Sequence, residues 1–156
     1  MVDMPLYFIY FLYTGVLSII AVFLVPKSDL KKLALYSIFF GGVYDILWIL
    51  LIGLFGIGGY LNYGPLGFLK IPLLPPIAWT VFFIMYLYLL PEETLWSYFL
   101  AIIGALYSTF FSNALQNLGI FEWSHGRIVI PTIIYLTWFL SVTFIYRRYI
   151  LKNIKE

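Results

Sequence analysis

Residues Leu33 to Ile57 read LALYSIFFGGVYDILWILLIGLFGI, a run of twenty-five that carries one charge, Asp45, twelve positions from either end. Apolar runs of this length are read as membrane-crossing helices, since a helix satisfies its own backbone polar groups where no water can. The midpoint of such a run is the most expensive place for a carboxylate, by about 2.5–3.5 kcal/mol on insertion scales. An acid there is a site hypothesis by default, and it points the search for function to the middle of the second span.

The rest of the chain has the same character. Hydrophobic residues make up 63% of it and charged residues 10%, against roughly 25% charged in soluble domains. The composition specifies an all-α, polytopic transmembrane helix bundle, a single integral membrane domain over residues 1–156 with the lipid bilayer as its first partner. A net charge of +2, with no basic stripe between aromatics, argues against nucleic acid. The absence of cysteine removes disulfides, thiolate metal sites and cysteine nucleophiles. The first apolar run follows Met1-Val2-Asp3-Met4-Pro5, not a basic segment, and no small-x-small site follows it. It is expected to be retained as a span and not cleaved as a signal peptide.

Five spans are expected, at about 6–25, 33–57, 71–90, 94–118 and 128–146. Lys27 to Lys32 reads as a basic loop after Pro26. Gly58 to Lys70, rich in turn formers yet apolar, reads as an interfacial or shallow re-entrant connection. The third helix should start near Pro75 or Pro76, because proline is tolerated only in a first turn. Pro91-Glu92-Glu93-Thr94 forms a tight reversal that leaves two acids at a helix N-terminus, where the macrodipole favours them. With five spans, Lys27, Lys31, Lys32, Arg147, Arg148, Lys152 and Lys155 share one face, against Lys70 and Arg127 on the other. The positive-inside rule then puts the N-terminus out and the C-terminus in. Trp96, Tyr98, Tyr146 and Tyr149 near one boundary, and Tyr60, Tyr63 and Trp123 near the other, read as aromatic belts.

Span four carries the clearest pattern. Taken every fourth residue, one row is Gly104, Ser108, Ser112, Gln116 and its neighbour is Ala101, Ala105, Thr109, Asn113, Asn117, all small or polar. The other rows are bulky. Small residues let helices approach and hydroxyls and amides bond across the contact. On span two, Ser37, Gly41 and Asp45 share a row, so Asp45 should point into the bundle, at the depth of Ser108, Thr109 and Thr137. The sharp expectation is a polar cavity open to the outer surface, with Asp45 at its floor and Ser112, Asn113, Gln116 and Asn117 along its wall. The plain alternative is that Asp45 fixes helix register and the span-four residues are packing contacts worth about 0.6 kcal/mol each.

Other candidates carry less. His125 and Glu122 do not have the spacing of a metal motif, and Glu92 and Glu93, adjacent on a helix, do not converge on one point. No phosphate-cradling loop, zinc-protease helix or serine triad can be assembled, so no cofactor or metal is implied.

From Leu90 onward the run LPEETLWSYFLAIIGALYSTFFSNALQNLGIFEWSHGRIVIPTIIYLTWFLSVTFIYRRYI resembles, in layout, a family of small uncharacterised membrane proteins of spore-forming Firmicutes. The corresponding features are Pro91-Glu92, Trp123, Trp138 and Arg147-Arg148-Tyr149. The resemblance implies a bacterial cytoplasmic membrane and no assigned activity.

Three functions remain open on the sequence. The first is a non-enzymatic membrane component packing with itself, as a homo-oligomer, or with a partner membrane protein. The second is a small carrier or channel element for a proton, cation or polar solute using Asp45. The third is a lipid- or isoprenoid-modifying enzyme with Asp45 as its acid–base group.

Overall fold

Pro26 sets the first break in a chain that would otherwise stay helical. The residue before a proline is pushed toward extended backbone; Val25 stands at φ −104°, ψ 122° and closes helix α1 (Phe8–Leu24). Pro26 then takes the N-cap position of α2 (Lys27–Leu54), since its missing N–H costs nothing at a helix start. The basic stretch Lys27 to Lys32, expected as a loop, is therefore the opening of α2, with Asp29 in the first turn. The computed structural model describes residues 4–151. Lys152 and Lys155, counted above for orientation, lie outside the described residues, as do Met1, Val2 and Asp3.

Helix α2 is not uniform. Ile38–Val43 forms a π-helical turn around Gly41-Gly42, which the apolar run did not announce. α3 (Leu74–Leu89) starts with proline in its first turn, as expected, and α4 (Thr94–Asn117) follows after a short reversal. α5 (Val129–Ile150) closes the bundle and ends in a second π-helical turn, Tyr146–Ile150. Three of the five helices, α2, α4 and α5, are long and apolar enough to cross a membrane, while α1 and α3 are shorter apolar helices of 17 and 16 residues.

α2 and α4 stop in the same way. Past the end of α2, Gly56 at φ +63° lets its N–H reach the Gly53 carbonyl and the Ile57 N–H reach that of Ile52. Past α4, Gly119 at φ +76° does the same with Gln116, and Ile120 with Leu115. This is the Schellman motif, which needs a left-handed residue that glycine supplies without strain. Each motif launches a short strand, β1 (Gly58–Tyr60) and β4 (Phe121–Trp123), and the two pair antiparallel, Gly59 opposite Glu122. A second ladder joins β2 (Gly67–Phe68) to β3 (Ile71–Pro72). The connection from Gly58 to Lys70, expected as interfacial or shallow re-entrant, is thus partly sheet.

The β1–β4 sheet defines one end of the bundle. Tyr10, near the start of α1, donates its hydroxyl to the carbonyls of Leu61 and Ile120 there. At the opposite, basic end, Arg147 of α5 donates to the Pro91 carbonyl and the Thr94 hydroxyl of the α3–α4 reversal. All five helices therefore run between the same two ends. The interior is aromatic: Trp138 is 1% exposed and Trp79 packs on it with ring centroids 4.6 Å apart. Trp123 and Tyr146, expected in aromatic belts, are instead buried in this core, whereas Trp96 is exposed.

Candidate functional site

The small and polar face of α4 is turned inward. Ala101, Gly104, Ala105, Ser108, Thr109 and Ser112 are buried, while Ile102, Leu106 and Phe110 are exposed. That inversion of the soluble pattern is the one expected of a helix whose surroundings are as apolar as leucine, where association comes from close packing of small residues. α5 fills the recess, and a Cβ on Gly104 would lie 2.6 Å from the Phe139 ring. The hydroxyls mostly satisfy themselves along the helix. Ser108 donates to the Gly104 carbonyl at 2.7 Å and Thr109 to that of Ala105 at 3.0 Å.

Toward the sheet end the polar residues of α4 hold the connection to α5. Ser112 accepts the Trp123 indole N–H at 3.0 Å, and Gln116 accepts the Trp123 backbone N–H through Oε1. Asn113 donates to the Arg127 carbonyl at 2.6 Å, and Asn117 accepts from the Arg127 guanidinium at 2.9 Å. Asn62 adds a bond to the Gly119 carbonyl. These amides, expected along the wall of an outward-opening cavity, sit where Ile120, Phe121 and Trp123 are packed as a plug at 0%, 4% and 4% exposure. Thr137 is on the exposed side of α5 and joins neither group.

Asp45 faces the interior at 3% exposure. The π-helical turn just before it brings α2 hard against α3, since a Cβ on Gly41 would fall 2.4 Å from the Trp79 carbonyl oxygen. The Phe40 carbonyl, within the same turn, accepts the Trp138 indole N–H at 2.8 Å, so α5 is fastened at this level too. The Oδ2 atom of Asp45 is buried with no hydrogen-bond partner among the described residues, as are the hydroxyls of Thr14 and Ser37.

Two cavities flank this region where one was expected. The larger, about 330 Å³, lies between α1, α3 and α4. Ser108 and Ser112 contribute to its wall; the rest is chiefly apolar and aromatic, including Leu17, Ala78, Trp79 and Phe111. Its rim carries Leu12, Val16 and Ile20 of α1 and Tyr107 of α4, all exposed, so it opens sideways, on the flank that would meet lipid. The smaller cavity, about 20 Å³, is the one Asp45 lines. Tyr60, Phe121 and Tyr135 border both and form the wall between them.

Sequence reasoning located Asp45, Ser108 and Ser112 but not this partition. The wall comes from Tyr60 and Phe121 on strands whose pairing spans some sixty residues, and from Tyr135 on α5. A search against protein families, curated proteins and solved structures finds no match for the chain.

Proposed function

We propose that the chain is a five-span membrane protein, N-terminus outside and C-terminus inside, that holds an apolar chain of the surrounding lipid in the cavity between α1, α3 and α4. The observation that carries the reading is that cavity: about 330 Å³, mostly apolar, with its rim on exposed faces of α1 and α4. The volume falls at the lower end of small-molecule sites, roughly 300–1,000 Å³, which suits one acyl or isoprenoid-type chain better than a partner helix. Self-association loses its natural surface, because the small-residue face of α4 is occupied by α5 of the same chain.

Five spans are supported by the pairing of β1 with β4. Those strands leave the ends of α2 and α4, so α3 must carry the chain away from the sheet and α4 must bring it back. A helix of 16 residues rises about 24 Å, short of the ~30 Å hydrocarbon core by an amount that its extended flanks and local thinning can absorb. The basic residues Lys27, Lys31, Lys32, Arg147 and Arg148 gather at the end away from the sheet, which the positive-inside rule makes cytoplasmic.

The test is native mass spectrometry of the purified chain after exchange into detergent and addition of single-chain lipids. Wild type should retain one chain per protein with affinity rising with chain length. Ala78→Phe, which fills the cavity, should lose it while remaining folded by circular dichroism. Retention unchanged in Ala78→Phe would place the lipid elsewhere and end the reading.

A further inference from the structure

Across the wall of Tyr60, Phe121 and Tyr135 the small cavity presents a different chemistry. Its volume of about 20 Å³ admits one water-sized particle. A single carboxylate lines it, Asp45, 3% exposed and with Oδ2 lacking a hydrogen-bond partner among the described residues. No lysine, arginine or histidine lines it to balance that charge, and the wall is otherwise dominated by rings: Trp48, Tyr60, Phe121, Trp123 and Tyr135. Several polar atoms of those rings are engaged elsewhere. The Trp123 indole N–H goes to Ser112, and the Tyr60 hydroxyl accepts from the Trp79 indole at 3.4 Å. The Tyr60 hydroxyl keeps its own proton to donate, and the rings otherwise present apolar π surface.

That combination selects among occupants. Divalent cations require six or more oxygen ligands or near-octahedral oxygen geometry, and transition metals prefer nitrogen or sulfur; no group of three His, Cys, Asp or Glu suited to a metal exists among the described residues. A water molecule also fits the volume and could bond to Asp45 and the Tyr60 hydroxyl, but it carries no charge to set against a carboxylate's. An ammonium ion is water-sized, donates N–H to Oδ2, and is attracted by ring faces through the cation–π interaction. We propose that this cavity is a binding site for a small ammonium cation, with Asp45 as its charge partner and Trp48 and its neighbours as an aromatic cage. Gly59 and Trp123 of the sheet form part of the wall, so the site lies directly beneath the sheet.

The ammonium site stands apart from the lipid cavity and is tested separately. The full-length chain in detergent is titrated at pH 7 with ammonium chloride and, at matched ionic strength, with potassium chloride and tetramethylammonium chloride, reading Tm and isothermal heats. Ammonium should raise Tm saturably, while potassium and the oversized tetramethylammonium should not. Asp45→Asn should abolish the response. Trp48→Leu should weaken it roughly tenfold, the size of a partly desolvated cation–π contact. A folded wild type indifferent to ammonium, an equal response to potassium, or an undiminished response in Asp45→Asn each overturns the proposal. Should Asp45→Asn not fold, an undiminished response in Trp48→Leu overturns it in the same way.

Discussion

The Tyr10 hydroxyl lies 2.6 Å from the Leu61 carbonyl and 2.7 Å from that of Ile120, so one proton is shared between the two arms that lead to and from the sheet. Tyr10→Phe keeps the ring, which is fully buried, and takes the hydroxyl from the Leu61 carbonyl, while the Ile120 carbonyl keeps the Leu61 N–H at 2.9 Å. Leaving a buried polar group unsatisfied costs about 1–3 kcal/mol, and the loss should appear as a lower midpoint in denaturant unfolding from mild detergent. Asp45 behaves in the opposite sense. Its Oδ2 has no partner to lose among the described residues, so Asp45→Asn should leave the midpoint unchanged or raise it in the absence of added cation; a clear fall would restore the plain alternative, that the acid fixes helix register. Ser37→Ala, which removes another buried unpartnered hydroxyl, should likewise be neutral or stabilising.

Among the helices, α2 offers a controlled pair. A methyl on Gly41 would strike the Trp79 backbone, which cannot swing aside, whereas one on Gly53 would meet nothing within 4 Å. Gly41→Ala should therefore cost about 1–3 kcal/mol by overpacking, and Gly53→Ala should gain up to about 1 kcal/mol from helix propensity alone; thermal midpoints of the two variants measure the contrast. The inward face of α4 and the proline start of α3 were legible in the sequence because each rests on a local rule, spacing along one helix or the geometry of one residue. The π-helical turn was not, since it is fixed by what Gly41 and Gly42 meet on α3. The strands escaped for a related reason: three residues have no periodicity to read, and β1 finds its partner only when α4 has ended. The glycine-isoleucine pairs at 56–57 and 119–120 were the available signal, two Schellman stops in a chain otherwise read for spans.

For the molecule as a whole, the cysteine-free sequence makes the orientation directly measurable. Ser124→Cys, in the exposed connection after β4, should react in intact cells with a membrane-impermeant maleimide, and Ser28→Cys, at the start of α2, only after permeabilisation. The reverse pattern would invert the bundle, and equal reactivity would break the five-span arrangement. The two ends also differ in how they are held: Asn62, Asn113, Gln116 and Asn117 fasten one with side-chain amides, while Arg147 clamps the other. Arg147→Ala should loosen the α3–α4 reversal and raise protease sensitivity at Glu92-Glu93 without disturbing labelling at Ser124→Cys.

The shared ladder between β1 and β4 has a consequence for biosynthesis. A chain synthesised from its N-terminus exposes the first of these strands long before the second is made, and contacts that distant in sequence form late. Ribosome-bound intermediates halted before residue 118 should therefore carry β1 without its partner strand, available to a chaperone or a neighbouring nascent chain until the fourth helix is complete.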